Sequence, residues 1–536
     1  MVGLPNRAAR CGICRRHKIK CDLLRPACSR CKRLNLSCEY PDLQRGQIFV
    51  NRNLKNPRVK AIDILSTTTS EKKKLKTPEN IYPISVVTTL GGYPEKQNVS
   101  IPHSPNPETL NRIQLLSTFI DLYLPKTQDP AVPGQSPATW INCLGNIATS
   151  NNTFDISLKA LCLTQLGLWH HDSALVKESH RLYGSALRGL REEVSHRKLD
   201  APKATLATII ILSTYELFSG SSERSQGWVS HARGGSHILR VLDPSIASSP
   251  VGRLLCPRIR IIGIFESFRS RKTALLTGLH VQSPTEAEIS DLYCHLQDLM
   301  IQIPPILETF DTLTITTIDQ ATLRTVLAQL LQRCTTLHAQ LLAWCEVLRE
   351  HVPSQLYSSH PSIAHNPADE PGSHTFPLAF HFLTLSIAQL FLLYWSSLIV
   401  LYRTMQDVSL RLAQPLPFPS PGKFSLSPPS APSGQEHSCD DDLDFEHSFS
   451  FPSTNNIATL AGKICQSFEY CYQSTNGTLG VQSTVFPRWV ATEFYASRPK
   501  YHRELKWCDE VQNMTAEGAR FDVRVAKFGD MGEFRI

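Results

Sequence analysis

The amino-acid sequence predicts two unlike parts joined by a flexible linker: a small cysteine-stapled module at the amino end and a large all-α domain behind it. Three observations carry this. Six of the sixteen cysteines fall between residues 11 and 38 at a repeating spacing. Residues 41–110 are rich in Pro, Asn, Thr and Lys and have little apolar periodicity, the composition of a linker. From about residue 111, apolar positions recur every three to four residues, the period of helices that pack on one face.

Length and charge bound the rest. A chain of 536 residues that is 41% apolar and 19% charged can bury one large core or two to three domains, and is not the composition of a wholly disordered protein. Residues 1–60 hold 15 Lys and Arg against Asp22, Glu39 and Asp42, whereas the whole chain is only +8, so the remainder is slightly acidic. A compact cationic end on such a body is the footprint of a polyanion-binding module, nucleic acid being the expected polyanion. The first fourteen residues carry Arg7 and Arg10 but no apolar run of the kind a secretory signal needs. A reducing compartment is therefore expected, in which cysteines serve as thiols or metal ligands and not as disulfides.

The cluster itself is Cys11-x2-Cys14-x6-Cys21-x6-Cys28-x2-Cys31-x6-Cys38, an internal repeat in which a shift of 17 carries the first three cysteines onto the last three. Each half opens with two cysteines three residues apart, which share one face of a helical turn and can grip one ion together. Zinc takes four soft ligands in a tetrahedron, so two zinc ions served by six thiolates require two bridging sulfurs. The repeat makes the bridges equivalent positions, Cys11 and Cys28. Metal binding also has to supply the fold, because Ile13, Ile19, Leu23, Leu24, Leu34 and Leu36 are too few to build a core. Other uses of the cysteines fit less well. Redox Cys-x2-Cys pairs lack a βαβ context, a secreted disulfide scaffold lacks its export signal, and a single zinc with two spare thiols leaves the symmetry unexplained.

The run from Cys11 to Cys38 closely resembles the fungal Zn2Cys6 binuclear cluster of zinc-cluster transcription factors. In that family the first and fourth cysteines bridge two Zn2+ ions, and Pro26 matches a proline common in the loop between the halves. Charge alone favours the first helix as the one that enters DNA, since Arg15, Arg16, Lys18 and Lys20 stand where the second half has Lys32, Arg33, Asn35 and Ser37. The expected contacts are Lys18 to guanine acceptors and Arg15, Arg16 and Lys20 to phosphates. The resemblance implies CGG-type triplets read through Lys18; His17 departs from the usual lysine or arginine at its position. With two zincs and six thiolates, residues 11–38 carry about +5 by summation.

In the body, helical periodicity is expected over 111–124, 156–193, 204–218 and 227–242, with long helices at 321–350 and from 376 to about 412. Thr214 to Phe218 followed by Gly227 to Gly235 resembles the regulatory-domain signature of many zinc-cluster factors, in which Trp228 and His231 are expected to pack two helices. The seam from Leu323 through Leu327, Leu330, Cys334, Leu337, Leu341 and Trp344 to Leu348 is expected to face the core, because the charged flanks of a coiled coil are missing. Between 414 and 453 the composition turns to Pro and Ser and then to acids, as expected of a disordered insertion. The resulting division is 1–40 module, 41–110 linker, 111–413 regulatory domain, 414–454 insertion and 455–536 a C-terminal helical part. No coiled coil is visible directly after Cys38, which leaves dimerisation to the body or the chain a monomer on one triplet.

The function expected is therefore a nuclear, sequence-specific DNA-binding transcription factor of RNA polymerase II genes that binds double-stranded DNA with two zinc ions per chain. By analogy it activates a specific metabolic or secondary-metabolite gene cluster, a repressor of the same class being the alternative. Lys72 to Lys76 would serve nuclear import or simply solvate the linker, and the acidic, aromatic stretch from Glu436 to Phe451 would engage a coactivator or lie passive. No Gly-rich phosphate loop, His-Glu-x-x-His or nucleophile elbow is present, so an enzyme is not expected. His170-His171-Asp172 is read as a lone cluster on a helix surface or end. The strongest rival class is a membrane-associated zinc-binding protein, since 371–402 lacks any charged side chain and Phe376 to Tyr402 is long enough to span a bilayer. Interspersed hydroxyls and the absence of a second span favour a buried helix instead.

Overall fold

The structure is a computed structural model that describes residues 14, 21–22, 24, 27–34, 36 and 38 near the amino end. Beyond them it describes 107–126, 139–147, 152–195, 201–219, 225–278, 288–315, 319–352, 354–414 and 453–521. These fall into two units divided near residue 100. Most of the 41–110 stretch, the Lys72 to Lys76 run, the Pro/Ser-rich segment after 414 and Glu436 to Phe451 lie outside the described residues.

The described residues of the first unit include a short helix, α1 (Ser29–Arg33). The second is helical, beginning with α2 (Pro107–Tyr123), four residues before the periodicity suggests, and continuing through α3 (Asn152–His170), α4 (Ser173–Ser195), α5 (Pro202–Ser219), α6 (Ser225–Val241) and α7 (Pro250–Ser270). Then come α8 (Glu288–Met300), α9 (Ile303–Ile315), α10 (Gln320–His351) and α11 (Leu385–Ala413). Shorter helices close it, among them α12 (Thr454–Gln466), α13 (Gly477–Ser483), α14 (Val485–Ala496) and α15 (His502–Asp509). One buried apolar cluster runs from Leu116 to Phe521, so the helices after the Pro/Ser-rich segment pack into the same core as those before it.

The apolar stretch read as one helix over 156–193 is two. His171 takes a left-handed backbone with φ 53°, and the Asp172 carboxylate accepts from the Ala174 and Leu175 amides to start α4. The His170-His171-Asp172 cluster thus lies at the junction of two helices. The seam of α10 is buried from Leu327 to Leu348, and the indole of Trp344 donates to the Leu292 carbonyl at 3.0 Å; this face belongs to the core.

The expectation of a helix starting at 376 is wrong by one element. Tyr357–Pro361 (β1) and Leu378–Phe382 (β2) pair antiparallel, with Tyr357 opposite Phe382 and Pro361 opposite Leu378. The all-α body therefore carries a small hairpin. Pro377 cannot continue a helical turn, and Thr384 starts α11 by accepting from the Ile387 amide, so the residues between are left to pair as a strand. Tyr357 sits on Phe380, Phe382, Phe391 and Trp395, which ties the hairpin to α11.

The most apolar window of α11 is 89% buried by the rest of the body, so its hydropathy is that of a central core helix. Its hydroxyls are consistent with this. Ser396, Ser397 and Thr404 each return their proton to the carbonyl four residues earlier, at 2.6, 2.8 and 2.8 Å.

The signature segments of α5 and α6 meet over a buried polar cluster. The Tyr183 hydroxyl donates to Glu216 and stands 3.3 Å from His231 Nε2, while its ring stacks on Tyr215 at 4.4 Å. Because that hydroxyl gives its proton to the carboxylate, it can only accept from His231, which assigns the ring proton to Nε2. Gly227 lies against Glu216, and a Cβ there would come within 2.3 Å of its carboxylate. A Cβ at Gly235 would stand 3.1 Å from Ile209 and 3.3 Å from Ile259.

Two outcomes are expected. Gly227→Ala destabilises the body by about 1–3 kcal/mol in chemical unfolding, because Glu216 is held by Tyr183 and cannot swing away. Burial lowers His231 from 6.5 to about 4, so the unfolded chain binds the proton more readily than the folded one. The body should lose about 3 kcal/mol as pH falls from 6.5 to 4, with nothing further from this group below that. Unfolding titrations of wild type and His231→Asn across this range check it, the variant lacking that increment.

Candidate metal centre

The interior of the amino-terminal unit is sulfur. Cys14, Cys28 and Cys31 are fully buried, with Cys21 and Cys38 packed against them. The aliphatic residues point the other way: Leu24, Leu34 and Leu36 are 57%, 48% and 43% exposed. No apolar core holds these residues together.

Cys28 organises the site. It is the N-cap residue of α1, with extended backbone, and its Sγ accepts from the Cys31 amide at 3.5 Å. Its own amide donates to Cys38 Sγ at 3.3 Å. The Cys31 amide holds the Cys28 thiol below its usual range, as a helix N-terminus does for a thiolate. The carboxylate of Asp22 accepts from the Ser29 amide at 3.1 Å and so satisfies a second orphan donor of α1. That role was not foreseen from the sequence; an acid six residues before Cys28 carries no pattern that announces it.

Two donor groups come within 4.8 Å of each other's atoms: Cys14, Cys28 and Cys31, and Cys21, Asp22 and Cys28. Cys28 belongs to both. The Sγ atoms of Cys14 and Cys28 are 3.8 Å apart, far longer than a disulfide and close to the edge of about 3.8 Å of a tetrahedron built on zinc–sulfur bonds of about 2.3 Å. The thiolate donor set and this spacing fit zinc. Of the predicted ligands, Cys14, Cys21, Cys28, Cys31 and Cys38 are brought together, whereas Cys11 lies outside the described residues. So do Arg15, Arg16, His17, Lys18 and Lys20. On the described half, Arg30, Lys32 and Arg33 are exposed along α1.

Residues 10–47 match the fungal Zn(2)-Cys(6) binuclear cluster domain, and residues 157–414 match the fungal specific transcription factor domain. The chain carries both domains of the fungal zinc-cluster transcription-factor family. Its cluster domain is accordingly one that binds two zinc ions, and the matched families are those of transcription factors, not enzymes. Among curated proteins, it is 56% identical over 39 residues to Transcription factor FUP7 of Fusarium proliferatum, covering 7% of this chain and 16% of that one. It is 29% identical over 120 residues to the uncharacterized protein AN5342 of Emericella nidulans, covering 22% of this chain and 25% of that one. The chain thus spans a quarter or less of either relative. No solved structure matches it.

If Asp22 holds the start of α1, Asp22→Ala should release zinc to a chelator faster than wild type. Asp22→Asn, which keeps an acceptor oxygen, should fall between them; zinc-release kinetics with a colorimetric chelator read the order.

Proposed function

We propose that this zinc-cluster protein is a nuclear, sequence-specific DNA-binding regulator of RNA polymerase II genes that reads a CGG-like triplet in the major groove. The observation that supports it best is the sharing of Cys28 between two donor groups. A sulfur common to two ligand sets is what lets six thiolates serve two tetrahedral ions. In this reading Cys11, Cys14, Cys21, Cys28, Cys31 and Cys38 are the ligands, and Cys11 and Cys28 bridge. The ions supply the folding free energy that the outward-facing leucines cannot.

The chain's own residues then do the recognition. Lys18 donates to guanine O6 and N7, while Arg15, Arg16, His17 and Lys20 meet phosphates and fix the register. Residues 1–40 form the DNA-binding module, 41–110 the linker, 111–413 the regulatory domain, 414–454 an insertion and 455–536 the helical remainder. The output is activation of a metabolic or secondary-metabolite gene cluster, with Glu436 to Phe451 as the segment for a coactivator and the regulatory domain as the surface for a homodimer.

Four measurements test this. Metal analysis of the purified chain should return two zincs, and Cys28→Ser should lose more than one of them. Affinity for a CGG-bearing duplex should fall with salt at a log–log slope near about −4, as expected for four to five neutralised phosphates. Lys18→Ala should lose about 1–3 kcal/mol of discrimination at one guanine-bearing step. Equal weakening on every sequence would confine Lys18 to the backbone. A reporter driven by the bound site separates activation from repression.

A further inference from the structure

The helical body holds a partly open cavity of about 70 Å³ where α5, α6, α7, α11, α13 and α14 converge. Its walls are largely aromatic and aliphatic. Trp140 and Trp228 contribute to one part, and Phe265 and Phe486, stacked at 4.3 Å, to another. A wholly apolar cavity of this kind would be dry and would need no explanation beyond imperfect packing. Two polar groups make it different.

The first is Gln389, 8% exposed on α11. Its Nε2 donates to Ser483 Oγ at 2.6 Å, and Ser483 passes its own proton to the Leu479 carbonyl at 2.7 Å. Ser483 can therefore only accept from Gln389, which fixes the amide orientation. It leaves Oε1 as a buried acceptor with no donor. Such a group costs about 1–3 kcal/mol if nothing answers it.

The second is Arg258 of α7, the one charged side chain among the described lining residues. Its guanidinium lies over the Trp140 ring, 5.8 Å from the centroid, and its Nε is buried without a hydrogen-bond partner. No carboxylate lines the cavity to neutralise it. A cation, an aromatic box and an unanswered acceptor thus converge on one space.

We propose that this cavity binds a small organic anion: a carboxylate that pairs with Arg258, an aromatic or branched apolar body that fills the space between the tryptophans and phenylalanines, and one hydroxyl or amine that donates to Gln389 Oε1. Size limits the class. A water needs about 10–15 Å³ by this measure, so the cavity has room for about five waters, or for an acid no larger than a hydroxybenzoate. Two or three waters could answer the polar atoms but would leave the aromatic walls wetted, whereas an amphipathic acid satisfies both. The site lies within the body alone and does not depend on what the zinc module reads.

The test uses the full zinc-loaded chain with 3-hydroxybenzoate as probe, read by the fluorescence of Trp140 and Trp228 and by calorimetry. Three comparisons are made. Saturable binding is expected for 3-hydroxybenzoate, at least tenfold weaker binding for 3-hydroxybenzamide, which lacks the charge, and several-fold weaker binding for benzoate, which lacks the donor. Arg258→Gln should erase the preference for acid over amide, and Gln389→Leu the preference for 3-hydroxybenzoate over benzoate. No saturable binding, equal binding of acid and amide, or unchanged binding by a folded Arg258→Gln overturns the proposal. The comparison of the three compounds on wild type stands without any variant, so a variant that misfolds does not blunt it.

Discussion

Everything at the amino end depends on sulfur taking the place of a hydrophobic core. Between residues 11 and 38 the larger aliphatic side chains are few, and those described face solvent, so folding free energy has to come from metal coordination. The same coordination fixes geometry. Cys28 is at once the cap of α1, the acceptor of a backbone amide and a member of two donor groups, so the position of the helix and the position of the metal are one constraint. α1, anchored that way, is held as one rigid unit with the metal site.

The body solves a different problem. Its helices bring polar side chains into a large apolar interior, and many of them are answered locally: Ser396, Ser397 and Thr404 by carbonyls of their own helix, and Tyr183, Glu216 and His231 by one another across three helices. Gln389 Oε1 and Arg258 Nε are among the buried polar atoms without a partner, and what sets them apart is that both residues border the same cavity.

Much of this was legible in the sequence, for reasons that differ by element. The cysteine spacing encodes the metal centre directly because coordination demands fixed residue types at fixed intervals, and the long helices follow from apolar positions that repeat with the helical period over many turns. What failed is what depends on single residues or distant partners. The strand at Leu378–Phe382 is apolar enough to read as the start of α11, and only Pro377, Thr384 and the aromatic contacts of Tyr357 separate the two. The break at His171 is one left-handed residue inside an apolar pattern that runs on across it. Asp22 and Gln389 could not be found at all, because their roles arise from Ser29 and Ser483, contacts that no local pattern announces.

The two units also explain how one chain sorts sixteen cysteines. Zinc binds the thiolate, so a cysteine competes for metal only to the extent that it ionises. In the body, burial pushes Cys162, Cys256 and Cys334 up to about 12 and Cys143 and Cys294 up to about 11. At neutral pH such thiols are ionised in fewer than about one molecule in a thousand. Cys28 moves the other way because a backbone amide donates to its sulfur. Identical side chains are thus divided into core filler and metal ligand by their surroundings alone: apolar burial protonates one set, and the amides at the start of α1 favour the thiolate at the site that a soft cation needs.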